Sequence, residues 1–268
     1  MSDQTGKVWF VGAGPGDPEL LTIKGQGLIA RADAILFAGS LVSEAAMRWA
    51  KQGCEIQDSK GMALDAITDW LIKQAKQNKL VVRLQTGDPG LYGALIEMVQ
   101  PLDAQGIEVG VVPGVSSAMA SAAAGVESLT LPEVTQTVIL TRTEGRTPMP
   151  EGESLRELAQ HHCTLCVFLS ITLLKKVTGE LLAAGWHEDS PILVVHKASW
   201  PGEEKIINGT ISNIREKCRA EKINSQAMII ASPTIGARQW PELKKSKLYD
   251  KDFTHRFRKA EKKQEATS

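Results

Sequence analysis

Short runs of aliphatic and β-branched residues alternate along this chain with longer stretches whose apolar positions recur every three or four residues. The first pattern marks strands and the second marks amphipathic helices. In the first half, strands are predicted at residues 7–13, 34–38, 55–58, 80–85 and 108–112, with helices at 23–32, 43–50, 63–77 and 92–105. Leu64, Ile67, Leu71, Ile72 and Ala75 show the helical spacing most plainly and give the third helix one buried face. Such alternation predicts an α/β fold with mainly parallel sheets.

A second series begins after Pro113–Gly114. A helix at 117–124, rich in alanine, precedes strands at 137–141, 164–169, 192–196, 205–208 and 227–231. Helices at 155–161, 173–184 and 211–221 separate most of them. The series divides the chain into an N-terminal unit, 1–114, and a C-terminal unit, 115–240. Beyond Trp240 charges crowd in and large apolar residues thin out, so 241–268 is expected to be a loosely docked tail.

Lys plus Arg and Asp plus Glu both number 31. A chain with no net charge has no overall field to hold a nucleic-acid backbone, so no nucleic-acid partner is expected. No apolar run reaches the ~18 residues that cross a bilayer. The four cysteines do not form the pattern of a secreted disulfide framework. A reduced, cytoplasmic protein is the expectation.

Candidate chemistry starts in VWFVGAGPGDPELLT, where Gly12, Gly14 and Gly16 follow the first strand. Glycines there let the backbone turn sharply and approach a ligand. A dinucleotide fingerprint would place its third glycine at position 17, which is Asp17, and Pro15 removes a donor that a pyrophosphate needs. The second strand also runs into Ala38–Gly39–Ser40, with no acid for a ribose. NAD is therefore disfavoured. Gly87–Asp88–Pro89–Gly90 also follows a strand end, where open α/β sheets bind ligands. Asp88 has two readings: accepting from a ligand's amine or hydroxyls, or fixing the N–H groups of its own loop. Ser116 and Ser117 are both placed to cap the following helix.

GAGPGDPELLTIKG (12–25) closely resembles the opening motif of the tetrapyrrole methylase family. QTGDPGLYG (85–93), VPGVSSAMA (112–120), FLS (168–170) and HKAS (196–199) resemble its later motifs, in family order and spacing over about residues 7–233. The resemblance implies two αβα domains with the active site in the cleft between them, S-adenosylmethionine as cofactor, S-adenosylhomocysteine as product, and a homodimer. Carried over motif by motif, the implied cofactor contacts are Pro15, Thr86, Gly87, Asp88, Leu91, Ser116, Ser117, Leu169 and Ala198.

Residues 135–155 resemble those family members that methylate precorrin-4 at carbon 11, in cobalamin biosynthesis. Alternatives are the cobalt-containing acceptor and the uroporphyrinogen-type enzymes. Arg142, Glu144 and Arg146 lie just past a strand end and are the implied substrate-binding residues, since guanidinium forks suit the carboxylates rimming such a macrocycle. The competing reading is a solvated loop in which Glu144 pairs with a neighbouring base. Uroporphyrinogen-type members usually carry an Asp in the loop at 38–40, and none is present here. Lys60 lies near a lysine proposed as a proton donor in those relatives and is the candidate catalytic residue that the resemblance offers; the competing reading is a solvated loop residue, and no other catalytic group is assigned. The locally basic segment 248–259 resembles extensions of the aerobic, cobalt-free enzyme.

Cys163 and Cys166 form a CxxC beside His161 and His162, but no second ligand pair exists, and buried small hydrophobes are the reading adopted. No metal is expected. His196 is read as satisfying a strand end. The implied reaction is an in-line transfer of a methyl group from the sulfonium to a macrocycle carbon, for which alignment and a dry cleft are the main requirements.

Overall fold

The computed structural model describes residues 6–77 and 79–259. Two five-stranded sheets dominate. The first contains β1 (Lys7–Gly12), β2 (Ala34–Phe37), β3 (Glu55–Asp58), β4 (Leu80–Gln85) and β5 (Glu108–Val112), in the order β3-β2-β4-β1-β5 and parallel throughout. Alternation along β1 sends Val8 and Phe10 to one face, packed with α2 (Leu64–Ala75) and α3 (Leu95–Ala104). Val11 turns to the other face and joins the core beneath α1 (Ile23–Arg31). The chain leaves β1 towards β2 and leaves β4 towards β5, in opposite directions across the sheet. That divergence is the topological switch point at which such sheets bind ligands.

The second sheet comprises β6 (Val138–Arg142), β7 (Thr164–Phe168), β8 (Pro191–His196), β9 (Lys205–Thr210) and β10 (Ala227–Ala231), ordered β6-β7-β10-β8-β9. Here the expectation of a mainly parallel sheet is corrected. β6 and β7 are parallel, but β7–β10, β10–β8 and β8–β9 are antiparallel. The segment joining β8 to β9 contains no helix and is too short for a crossover, so the two strands must pair as a hairpin. α5 (Leu155–Ala159), α6 (Leu174–Ala183) and α7 (Ile214–Ala220) cover one face, with Leu165, Val177, Ile192 and Ile229 in that core. The small residues of α4 (Ser117–Gly125) pack on the other face, against Leu193, Val195 and Ile230.

Two predicted helices change. Residues 44–49 form a 3-10 helix, Glu44–Trp49. α3 starts at Leu95 rather than 92, because Tyr92 (φ 55°) and Ala94 (φ 49°) are left-handed and cannot continue a helix. The described part of the tail contains a 3-10 turn, Lys247–Tyr249, with Arg258 donating to the carbonyls of Leu248 and Tyr249. It is tied to the body by an ion pair between Lys244 and Glu133. The remainder of the predicted tail, 260–268, lies outside the described residues. No helix among them is long and apolar enough to cross a membrane.

Candidate active site

Three loops of the first half meet through their backbones. The Ala13 N–H donates to the Gln85 carbonyl at 2.7 Å, and Gly14 and Gly87 exchange N–H···O bonds at 2.8 and 3.3 Å. A Cβ on Gly114 would lie 2.0 Å from the Gly87 carbonyl oxygen, and one on Gly12 would lie 2.6 Å from Gly114 Cα. Glycine at both positions is what permits the approach. Asp88 completes the junction: Oδ1 accepts from the Gly90 N–H at 2.8 Å and Oδ2 from the Gly114 N–H at 3.0 Å. Of its two readings, the loop-fixing one is what the hydrogen bonds display.

The second half closes over these loops. Trp200, just after the β8 strand end, donates its indole N–H to the Pro15 carbonyl at 3.0 Å. Its ring lies so close that a Cβ on Gly16 would be 2.1 Å from it. The Asp17 N–H donates to Ser199 Oγ at 3.0 Å, and Gln226 donates to the Ser40 carbonyl at 2.7 Å. On the opposite rim the Tyr92 and Phe168 rings meet, centroids 5.3 Å apart and tilted by 51°.

Between the halves lies a cavity of about 370 Å³. Pro15, Thr86, Gly87, Asp88, Leu91, Ser116, Ser117, Leu169 and Ala198, the nine residues implied by the motifs, all line it. Ser116 also caps α4, accepting from the Ala118 N–H at 3.3 Å. Sequence reasoning missed Tyr92, Ser121, Trp200 and Gln226 in the same lining. Tyr92 lies inside QTGDPGLYG, and Ser121 and Trp200 directly follow VPGVSSAMA and HKAS, which were usable signals; Gln226 had none. Ser121 is fully buried and its hydroxyl has no hydrogen-bond partner, so one polar atom in the wall is left for a guest.

A second cavity, of about 450 Å³, adjoins through Tyr92 and is lined also by Ile139, Leu140, Thr141, Arg142, Met149, Pro150, Glu153 and Leu158. Burial raises the Tyr92 phenol above its ordinary pKa, with the Arg142 charge opposing and Glu153 adding to the rise. The three implied substrate residues are not brought together. Arg142 faces this cavity and donates to the Thr147 and Pro148 carbonyls at 3.2 and 2.6 Å. Glu144 instead pairs with Lys176 at 3.4 Å, in the solvated arrangement. Arg146 is exposed and lines neither cavity. Lys60 is exposed too, its N–H donating to Asp58 Oδ1 at 2.8 Å, and it lines neither cavity.

The remaining signals find structural roles. Cys163 and Cys166 are buried, and burial pushes the Cys166 thiol up to about 12. His196 Nδ1 meets the Ser225 carbonyl at 2.9 Å at its strand end. On β4, Arg83 is buried with its guanidinium on Ser59 Oγ at 2.9 Å. Desolvation lowers it to about 10.

Residues 7–215 match the family model of the tetrapyrrole (corrin/porphyrin) methylases, and the chain belongs to that family. Among its relatives, the cobalt-precorrin-4 C(11)-methyltransferase of Methanocaldococcus jannaschii is 49% identical, over 97% of this chain and 99% of the relative. The precorrin-4 C(11)-methyltransferase of Pseudomonas aeruginosa is 41% identical, over 95% and 99%. Of solved structures, a cobalt precorrin-4 methyltransferase superimposes with a TM-score of 0.83 at 47% identity, covering 85% of this chain and 95% of the other. The uroporphyrin-III C-methyltransferase of Thermus thermophilus, complexed with S-adenyl homocysteine, gives 0.71 at 29% identity, covering 87% and 94%.

Proposed function

We propose that this chain transfers a methyl group from S-adenosylmethionine to carbon 11 of a precorrin-4 macrocycle in cobalamin biosynthesis, with the cobalt complex as acceptor. The observation that carries the reading is the convergence of nine motif residues, drawn from both halves, on one cavity. Sequence reading put the cobalt-free acceptor first and the cobalt form beside it. Identity of 49% to the cobalt-type relative against 41% to the cobalt-free one brings the cobalt form forward.

The lining suits S-adenosylmethionine: glycine-shaped backbone, apolar walls including Ile171 and Met228, and the free Ser121 hydroxyl. Bound there, the cofactor supplies a methyl group already activated on a sulfonium. The protein's share is to align and to exclude water. Trp200 and Gln226 hold the halves closed over the glycine loops, and the second cavity receives the acceptor's rim, with Arg142 facing a carboxylate. Arg142 alone of the three implied substrate residues lines that cavity. Two units meeting at about residue 115, a homodimer and a cytoplasmic location complete the proposal.

Isothermal titration with S-adenosylhomocysteine and with NAD tests the first step. Micromolar binding of the former alone is expected, and binding of NAD alone would overturn the reading. Incubation with cobalt-precorrin-4 or precorrin-4 then fixes the acceptor, with mass spectrometry reporting the gain of one methyl group.

A further inference from the structure

Among the described residues that line the two cavities, only Tyr92 is common to both. Its backbone is left-handed, at φ 55°, a conformation unfavourable for a bulky residue and usually retained only where the surroundings enforce it. The enforcement is visible. Gln85 Nε2 donates to the Gly93 carbonyl at 2.5 Å, and a Cβ on Gly93 would lie 2.7 Å from the Pro89 carbonyl oxygen. Gly93 therefore fits tightly behind Tyr92 and holds the turn.

The strain does not serve the core, because Tyr92 is 49% exposed. Its ring meets Phe168 across the cleft and otherwise stands between the two cavities. An open aromatic surface there is suited to the apolar edge of a large ring ligand, since an aromatic side chain offers a broad, rigid apolar contact. Beyond it, Ile139, Leu140 and Leu158 offer apolar wall, and Arg142 keeps N–H groups beyond the two bonds it makes to Thr147 and Pro148.

We propose that Tyr92 is the positioning residue for the acceptor: the macrocycle edge abuts its ring, and that contact sets which carbon faces the methyl-donor cavity. The inference rests on the methyl-transfer reading. It concerns the ring rather than the phenol oxygen, so Tyr92→Phe and Tyr92→Ala separate its consequences. Three quantities are compared with wild type: S-adenosylhomocysteine affinity by calorimetry, kcat and KM for cobalt-precorrin-4, and the position of the new methyl group by NMR.

Tyr92→Phe is expected to bind S-adenosylhomocysteine within about threefold of wild type, and Tyr92→Ala, whose ring also lines the donor cavity, to lose several times less affinity for S-adenosylhomocysteine than for the acceptor. Tyr92→Ala should raise the acceptor KM about tenfold or more and yield product methylated at more than one carbon. Tyr92→Phe should keep one product and a KM within about threefold. A Tyr92→Ala enzyme with wild-type KM and a single product would overturn the inference. So would a parallel loss of S-adenosylhomocysteine and acceptor affinity, which is the signature of a residue that only shapes its loop. Should Tyr92→Ala fail to fold, Tyr92→Gly removes the ring while suiting the left-handed backbone, and the same outcomes apply. A wild-type protein that binds S-adenosylhomocysteine but methylates no tetrapyrrole would instead bring down the methyl-transfer reading, and this inference with it.

Discussion

Asp88 and Gly114, 26 positions apart, are joined by a hydrogen bond of 3.0 Å from the Gly114 N–H to the Asp88 carboxylate. The other carboxylate oxygen holds Gly90, so one side chain fixes both the loop after β4 and the turn into α4. Asp88→Ala should leave two N–H groups without their acceptor. We expect S-adenosylhomocysteine to bind about tenfold more weakly or worse, and stability to fall by about 1–3 kcal/mol. Asp88→Asn, which keeps one acceptor oxygen, should fall between. Calorimetry and urea unfolding measure the two effects, and wild-type affinity in Asp88→Ala would show that the loops stay in place without this tie.

Gly114→Ala attacks the same junction sterically. The added methyl would meet a backbone carbonyl at 2.0 Å, and backbone has no rotamer with which to retreat. A loss of about 3 kcal/mol or more is expected, together with loss of cofactor affinity. Gly179 in α6 has nothing within 4 Å of its Cβ position, so Gly179→Ala is the control. It should stabilise by up to about 1 kcal/mol through helix propensity.

Trp200 closes the cofactor cavity from the second half by standing on the glycine loop. Trp200→Phe keeps an aromatic plane and loses the bond to Pro15, so stability should change by about 1 kcal/mol. Trp200→Ala removes the cover as well, and S-adenosylhomocysteine affinity should fall further in it than in Trp200→Phe. Equal affinities in the two variants would mean that the indole plane contributes nothing to binding.

Asp33 supplies a pH dependence. A hydrogen bond from Lys51 and another from the Leu80 N–H hold its carboxyl below the ordinary value of about 3.9. A depressed carboxylate contributes stability that is fully present above that ordinary value and is lost as pH falls through the folded-state value. Urea midpoints of wild type and Asp33→Asn should therefore differ at pH 6 and converge as the solution is acidified below about pH 4.

Thiol reactivity tests the placing of the cysteines. Cys163, Cys166 and Cys218 are buried, and burial raises all three, Cys166 to about 12 and Cys218 to about 11. Cys54 is partly accessible, and burial raises its thiol as well. An aromatic disulfide reagent near pH 8 should modify Cys54 slowly in the native protein and all four thiols in urea. Rapid native reaction of Cys163 or Cys166 would contradict their burial.

Much of this architecture could be read from residues alone because strand and helix periods are local. The ten strand positions follow from short β-branched runs. Strand direction in the second sheet did not, although the absence of a helical stretch between 196 and 205 already implied a hairpin. The helix predicted from 92 fails because Gln85, seven positions earlier, holds Gly93 in a turn that no periodicity records. The cofactor side was legible through its glycines and motif order. The acceptor side was less so: β6 carries Arg142 to a cavity wall, whereas Glu144 and Arg146 lie past the strand end in solvent. There Lys176, from a helix and 32 positions on, settles where Glu144 points. Gln226 belongs to the site through a contact between the halves, which local pattern does not encode.

The two cavities are built from different materials. The loops under Asp88 touch through backbone atoms with glycine at the closest points, while the neighbouring cavity is walled by side chains of β6 and the segment behind it. Point mutation reaches these unequally. An exchange at Ile139, Met149 or Leu158 alters the shape of one chamber and leaves the other as it was. The donor chamber is thus rigid by construction, and the acceptor chamber is the one whose shape side-chain exchange can tune.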